Sequence, residues 1–470
     1  MSLIIPANSA AASGGYAVDN SCRFDGSSSY LTKTGSSGNR KVFTFSTWLK
    51  RSTLTAGAEQ IIGQSSETSG NDTFRILFDA GGTPDQIRVF SSNGNMNKIP
   101  SMKFRDTSAW YHVVMAFDTT QSTAADRNKI YVNGNLITDF STSVDVDINT
   151  SFEFNIPNEH TIGRNGYTNT EFFGGYMAET VLIDGTQYAA SDFGEFDEDS
   201  GIWKPIDVSG LTFGTNGFYL DFKDSANLGN DANGGTDLTE AGLAAIDQST
   251  DTCTNNFATG NPLDNGCGKA PTFSEGNLKY VSSSTFNFAL PTIGVSSGKW
   301  YMEIKYSALG SGGSIMAGIT DQFDNTNRDL TGNAFAGGEP LGIGYYQNGN
   351  KYLNNVASSY GSTYTTGDII GVYLDVDNSK LYFAKNGTLQ NSGTGLDLPS
   401  SANSTGVFFF MPSVDKATIE VNYGNPTFTG TDKTDANGYG SFEYDPSAGT
   451  FDSASKDFYA ICTKNLAEYG

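Results

Sequence analysis

Two hairpin signals constrain this chain more than any other feature. Asn133-Gly134 separates Lys129-Ile130-Tyr131-Val132 from Asn135-Leu136-Ile137, and Asn386-Gly387 follows Lys380-Leu381-Tyr382-Phe383-Ala384-Lys385. A two-residue turn of this kind needs positive φ at both positions, and Asn and Gly accept it most easily. Strand-like runs recur around these turns. Residues 43–49 alternate as a half-buried strand does. Residues 74–78 and 86–90 flank Gly81-Gly82-Thr83-Pro84-Asp85 and read as another hairpin. Residues 110–118 are almost continuously apolar, the pattern of a strand covered on both faces. Further runs lie at 175–183, 298–305, 314–319, 341–346, 367–377, 406–412, 418–424 and 457–462, with turn residues between them and no long helical pattern. Short strands at roughly 10–20-residue spacing argue for β-sandwiches.

Composition agrees. Gly contributes 55 residues, and 32 Phe with 23 Tyr supply an aromatic core. Aromatics suit pleated surfaces and Gly supplies positive φ. A length of 470 residues allows about two to four domains. The expected class is all-β, with two antiparallel, jelly-roll-like β-sandwich modules joined by an ordered, irregular connector. The expected boundaries are an N-terminal arm at 1–20, a first sandwich at 21–190, a connector at 191–272, a second sandwich at 273–428 and a C-terminal segment at 429–470. No fixed-period repeat is present.

Several function classes are disfavoured. Against 28 Lys+Arg stand 51 Asp+Glu, a net charge of −23, which opposes nucleic-acid binding through a broad basic surface. No apolar run approaches the roughly 20 residues of a membrane helix. The start, Met1-Ser2-Leu3-Ile4-Ile5-Pro6, lacks the basic flank and long apolar stretch of an export signal. His112 and His160 are the only histidines, leaving little room for a His-rich metal site or a Ser-His-Asp triad. Cys22, Cys253, Cys267 and Cys462 form no C-x-x-C pair. Free, partly buried thiols are expected, with a Cys253–Cys267 bridge as the alternative in an oxidising medium.

Residues 20–190 resemble a laminin-G-like, concanavalin A-type jelly roll. The resemblance is carried by Cys22-Arg23-Phe24-Asp25-Gly26, Ser29-Tyr30-Leu31, Phe45-Ser46-Thr47-Trp48-Leu49, Trp110-Tyr111-His112-Val113 and Ile130-Tyr131-Val132-Asn133-Gly134. Residues 273–428 resemble a SPRY (B30.2-like) domain through Gly298-Lys299-Trp300-Tyr301-Met302-Glu303, Gly342-Ile343-Gly344, Gly367-Asp368-Ile369-Ile370-Gly371-Val372, Leu374-Asp375 and Phe383-Ala384-Lys385-Asn386-Gly387. The connector pieces Phe193-Gly194-Glu195, Gly201-Ile202-Trp203-Lys204-Pro205, Gly214-Thr215-Asn216-Gly217-Phe218-Tyr219-Leu220-Asp221-Phe222 and Asp251-Thr252-Cys253-Thr254-Asn255-Asn256-Phe257-Ala258-Thr259 look similar to segments joining such modules in structural proteins of tailed, especially marine, bacteriophages. So does the terminal Ala460-Ile461-Cys462-Thr463-Lys464-Asn465-Leu466. This resemblance implies a virion protein: a tail fibre, tail appendage or capsid-surface component, made in the host cytoplasm and homo-oligomeric in the particle. It also implies other virion proteins as partners and a host-surface glycan or receptor as target, without nucleic acid or membrane insertion.

Concanavalin-type folds include glycoside hydrolases, which need two carboxylates flanking the scissile bond. The nearest pattern is Glu195-Phe196-Asp197-Glu198-Asp199, where period two places Glu195, Asp197 and Asp199 on one face. Its Gly and Ser flanks favour a solvated acidic loop. Asp221, Asp224 and Asp231 with Asn227 and Asn230 form an oxygen-rich loop, readable as a structural calcium site or as Asx turns. Asp375 and Asp377 read as strand caps balancing Lys380. Trp48, Trp110 and Trp300 read as core, and Trp203 as a clamp between modules. Residues 345–350, Tyr-Tyr-Gln-Asn-Gly-Asn, are the candidate ligand loop. The unpaired apolar run 458–462 and the tip Leu3-Ile4-Ile5 are the candidate docking strands. No catalytic, cofactor-binding or metal-ligating residue is assigned. The expected protein is non-enzymatic and attaches the particle to a host surface. A secreted carbohydrate-binding or depolymerising protein and a purely architectural capsid-decoration protein are the alternatives.

Overall fold

The computed structural model describes residues 15–54, 57–65, 73–79, 85–93, 95–264, 270–321, 335–338, 340–400, 404–452 and 456–470. Cys267, the tip Leu3-Ile4-Ile5 and the 80–84 turn lie outside them. The chain divides into two compact units, with the boundary between Thr254 and Asn255. That boundary falls inside 191–272, the stretch expected to be an ordered, irregular connector. Strands dominate both units, and the α-helix among the described residues is Thr463–Tyr469.

In the first unit the strands run β1 (Ser21–Asp25), β2 (Tyr30–Thr34), β3 (Val42–Arg51), β4 (Glu59–Ser65), β5 (Thr73–Phe78) and β6 (Ile87–Ser91). They continue with β7 (Met96–Pro100), β8 (Tyr111–Asp118), β9 (Asn128–Val132), β10 (Asn135–Leu136), β11 (Phe140–Val144), β12 (Glu159–Ile162) and β13 (Gly174–Asp184). Five short strands follow: β14 (Gly194–Phe196), β15 (Trp203–Pro205), β16 (Phe218–Leu220), β17 (Thr239–Ala241) and β18 (Gln248–Ser249). One sheet has the order β10-β9-β8-β3-β13-β1-β18, with β16 also on β13. The other has the order β11-β7-β6-β5-β4-β12-β2-β17. All pairings are antiparallel. Phe24, Phe43, Phe45, Phe74, Phe117 and Phe154 meet between the two layers.

The unbroken apolar pattern of β8 has the expected cause. Tyr111, Val113, Met115 and Phe117 face the inner core. Val114 faces outward, where Ala190, Phe193, Val208, Phe213 and Tyr219 cover it. Residues 190–254, almost all within the expected ordered connector, therefore pack on this sandwich: Ala190, Phe193, Val208 and Phe213 cover its outer face as a skin, while Phe218, Leu220, Phe222, Leu228 and Leu238 join its inner core. Buried ion pairs fasten the end of that stretch: Lys50 Nζ lies 2.7 Å from Asp251 and Arg23 lies 3.2 Å from Asp247. In β13 the register against β3 shifts between Ala178 and Val181, and Glu179 has φ 47°. The bulge exchanges the two faces. Met177 and Leu182, five residues apart, both point into the inner core.

The second unit contains β19 (Thr272–Ser274), β20 (Lys279–Val281), β21 (Asn287–Phe288), β22 (Lys299–Thr320), β23 (Gly342–Tyr346), β24 (Asn350–Leu353) and β25 (Val356–Ser359). They are followed by β26 (Ile369–Asp375), β27 (Lys380–Lys385), β28 (Thr388–Leu389), β29 (Leu396–Asp397), β30 (Phe409–Phe410), β31 (Ser413–Asn422) and β32 (Tyr459–Ala460). Strand β22 serves both halves of the sandwich. Lys299–Lys305 pairs with β26, Met316–Thr320 pairs with β23, and β31 runs beside both stretches. Trp300, Met302 and Ile304 face the inner core. Tyr301, Tyr373 and Tyr382 face out and are covered by Phe442, Phe451 and Phe458.

The expectation that 458–462 is an unpaired docking strand is corrected here. Tyr459 and Ala460 pair in parallel with Trp300 and Tyr301 of β22, and Phe458 and Cys462 are fully buried. The segment lacks a partner near it in sequence because its partner lies more than 150 residues earlier. Across the C-terminal segment, expected as a docking segment, Phe442, Phe451 and Phe458 cover the outer face of this sheet, and Ile461 and Leu466 join the inner core.

Both hairpin signals hold. Val132 pairs with Asn135 and Lys385 with Thr388, with φ 47° and 78° at Asn133 and Gly134 and 48° and 74° at Asn386 and Gly387. Each glycine also lies under an aromatic ring from the skin. A Cβ on Gly134 would come within 2.3 Å of the Trp203 ring, and one on Gly387 within 2.6 Å of the Tyr444 ring.

Candidate functional site

The acidic triplet does not converge. Glu195 is exposed, and its carboxylate lies 3.4 Å from Lys204 Nζ. Asp197 is buried. It accepts from the backbone N–H groups of Asp199 and Ser200 at 3.2 and 2.9 Å, and it pairs with Lys204 at 3.1 Å. One carboxylate closes a turn, a second shares its lysine, and Asp199 stands in solvent.

The oxygen-rich loop is committed in a similar way. Asp221 and Asp224 accept from the backbone N–H of Lys223 and Ala226. Asp231 accepts from the N–H of Tyr219 and Asn233 and pairs with Lys33 at 3.4 Å. Asn227 donates to Asp237 at 2.8 Å. These are Asx turns and a pinned loop. Among the described residues no group of three or more His, Cys, Asp or Glu is arranged to hold a metal ion.

The loop at 345–350 is mostly structural. Tyr345 is fully buried and packs against Tyr360, Tyr364 and Phe383. Gln347 Oε1 accepts from Tyr306 Oη and the Ile315 N–H, both at 3.0 Å. Only Asn348 of this loop is exposed. Tyr345 and Tyr346 occupy alternate positions on a strand, so the first must face the core, and no stacking platform results. Lys380 pairs with Asp397 at 2.7 Å, while Asp375 holds Lys299 at 3.0 Å. That replaces the expected balance of Lys380 by Asp375 and Asp377.

Trp203, expected as a clamp between modules, packs within the first unit. Its indole donates to His112 Nδ1 at 3.0 Å, and its ring meets Phe196. Beside it lie Trp48, Trp110 and Tyr16. Glu179 Oε2 accepts from Tyr219 Oη at 2.7 Å and from Tyr16 Oη at 3.3 Å. Burial pushes the Glu179 carboxyl up to about 7, with the two tyrosine donors opposing the shift.

One surface feature escaped the sequence reading. Ser101, Met102, Leu136, Ile137, Thr138 and Asp139 line an open depression of about 390 Å³. Leu136 and Met102 are 48% and 37% exposed at its mouth. The depression lies where the chain passes from β10, the edge of one sheet, to β11, the edge of the other. Nothing in the local residue pattern marks these positions, because an edge exists only once strand order is known.

Comparisons with known proteins agree with this architecture. Residues 25–188 match a family model described as the concanavalin A-like lectin/glucanases superfamily, and residues 299–426 match the SPRY domain. The ATP-dependent RNA helicase DDX1 of Xenopus laevis is 30% identical over 140 residues, covering 29% of this chain and 17% of the helicase. A Ran-binding proteins 9/10 homolog of Drosophila melanogaster is 31% identical over 136 residues, covering 28% of this chain and 13% of that protein. The matches thus span less than a fifth of either relative's length. Among solved structures, a candidate carbohydrate-binding protein from Bacteroides ovatus aligns with TM-score 0.36 and 17% identity, covering 47% of this chain and 58% of that one. The chain therefore carries a concanavalin A-like domain followed by a SPRY domain.

Proposed function

We propose that this chain is a non-enzymatic component of a tailed-phage particle, a tail fibre, tail appendage or capsid-surface protein, that attaches the particle to a host-surface glycan or protein. The observation that carries attachment over bond-breaking is the fate of the acidic triplet. A glycosidase needs two carboxylates across one bond, one to donate a proton and one to activate water or attack. Here Glu195 and Asp197 share Lys204, and Asp197 also closes its own turn. Two sandwich units with skinned sheets make stiff platforms suited to display. The virion assignment rests on the likeness of the connector and C-terminal segments to joining segments of phage structural proteins.

Incubating the full chain with bacterial polysaccharides and a glycan array tests the reading. Retention without oligosaccharide release is expected. Release that Glu195→Ala abolishes would defeat it in favour of a depolymerase. Array silence together with tight binding to empty particles would leave a purely architectural decoration protein. Mass spectrometry of purified particles tests the location, and absence of the chain from them would sink the virion assignment.

A further inference from the structure

Strand β11 is the last strand of its sheet, and among the described residues no strand lies beyond it. Soluble proteins protect such edges with Lys, Pro, inward-pointing charge or covering chain, because unpaired N–H and C=O groups template strand addition. Phe140-Ser141-Thr142-Ser143-Val144 carries no Lys, no Pro and no charge. Its one irregularity is the register step between Phe140 and Thr142 against β7. Ser141, Ser143 and Val144 are exposed. Val144 of β11 is 44% exposed, Leu136 of β10 48%, Met102 after β7 37% and Ile148 after β11 49%. The open depression lies at the β10 end of this edge.

The ends of the strand are acidic. Residues 136–148 contain Asp139, Asp145 and Asp147 and no Lys or Arg. Asp145 is held by Lys98. Asp139 accepts from the Ser101 hydroxyl at 3.0 Å. Asp139 and Asp147 have no cationic partner among the described residues.

We propose that β11 is a docking strand that receives, by strand addition, an extended segment of a partner protein bearing Lys or Arg at its ends, with an apolar side chain of that segment seated between Met102 and Leu136. Charge selects this occupant over a second copy of the chain. Two antiparallel β11 strands would bring Asp139 of one near Asp145 and Asp147 of the other, between molecules that each carry −23. A glycan would leave the row of edge amides and carbonyls unused, whereas a strand satisfies them. The inference does not depend on which particle, if any, supplies the partner.

The test uses the full chain and two fluorescent, strand-length peptides of alternating Val and Thr, one with Lys at both ends and one with Glu. Saturable binding of the Lys-ended peptide is expected, weakening as salt rises and protecting amides 140–144 from hydrogen exchange. Replacing its central residue with Pro should abolish binding. The double variant Asp139→Lys, Asp147→Lys, both exposed and free to change without refolding the core, should invert the preference, each peptide shifting about tenfold. Leu136→Ser, which removes the apolar seat without adding charge, should weaken the Lys-ended peptide. The proposal is overturned if the wild-type chain binds neither peptide, if binding ignores the charge swap, or if the chain is a dimer in solution that Val144→Lys dissociates.

Discussion

The indole Nε1 of Trp203 donates to Nδ1 of His112 at 3.0 Å, joining the skin of the first unit to the outer face of β8. An indole N–H can only donate, so Nδ1 accepts and the proton sits on Nε2, 2.9 Å from Ser46 Oγ. The imidazole is stacked between Trp48 and Trp203, at 4.8 and 5.9 Å between centroids. Trp203→Phe keeps much of the ring contact and orphans a buried acceptor. A loss of about 1–3 kcal/mol is expected in urea unfolding of the first unit. A loss near zero would show that this bond holds nothing.

The same pair sets an acid limit. Burial pushes His112 down to about 3, against an ordinary value of 6.5. The folded state keeps the ring neutral while the unfolded chain takes up a proton below 6.5. Stability is therefore whole above 6.5 and falls as pH drops toward 3, by about 1.4 kcal/mol per pH unit. His160, pushed down to about 4 by burial, adds a second such limb. Unfolding of His112→Gln should show a shallower acid limb than the wild type, and an unchanged limb would refute the assignment.

Glu303 acts in the opposite sense in the second unit. It is fully buried and accepts four hydrogen bonds: from Tyr301 Oη, Asn422 Nδ2 and the N–H groups of Glu443 and Tyr444. Burial pushes it up to about 7, with those donors opposing the shift. Its folded value lies above the unfolded 4.5, so its contribution is full below 4.5 and is lost as pH rises to about 7, roughly 3 kcal/mol in all. Glu303→Gln should remove that slope. Glu303→Ala, which orphans all four donors, should cost about 3 kcal/mol or more and expose the 441–444 stretch to protease.

The two turn glycines predict a coupling. Gly134→Ala meets both a positive φ and the Trp203 ring, and Gly387→Ala meets a positive φ and the Tyr444 ring. Each should cost about 1–3 kcal/mol. In the Trp203→Ala or Tyr444→Ala background the steric part disappears and only the φ strain, about 1 kcal/mol, remains. Additive double mutants would show that the rings do not rest on the turns.

Chelation gives a simple negative test. The carboxylates of Asp221, Asp224 and Asp231 are occupied by backbone N–H groups and Lys33. EDTA should leave the melting temperature of the full chain unchanged. A drop that calcium restores would revive the site.

For binding, the sequence was poor at locating a surface. Tyr345 and Tyr346 looked like a ligand loop because composition cannot tell which of two adjacent strand residues faces the core. The exposed β11 edge went unnoticed because Phe140-Ser141-Thr142-Ser143-Val144 is an ordinary polar strand until the sheet order leaves it outermost.

What the chain's residues determined by themselves is local: strand periods, the two Asn-Gly turns, the two-faced burial of β8 and the all-β class. These follow from φ preferences and side-chain alternation, which act over a few residues. The tertiary structure alone decided that Ala190, Phe193, Val208 and Phe213 cover one sheet and Phe442, Phe451 and Phe458 another, that Glu179 sits in a bulge that exchanges the faces of β13, and that Tyr459 and Ala460 pair with β22. Irregular segments carry no period, so their places are chosen by which exposed sheet face they can cover and which buried carboxylates hold them, over separations of a hundred residues and more.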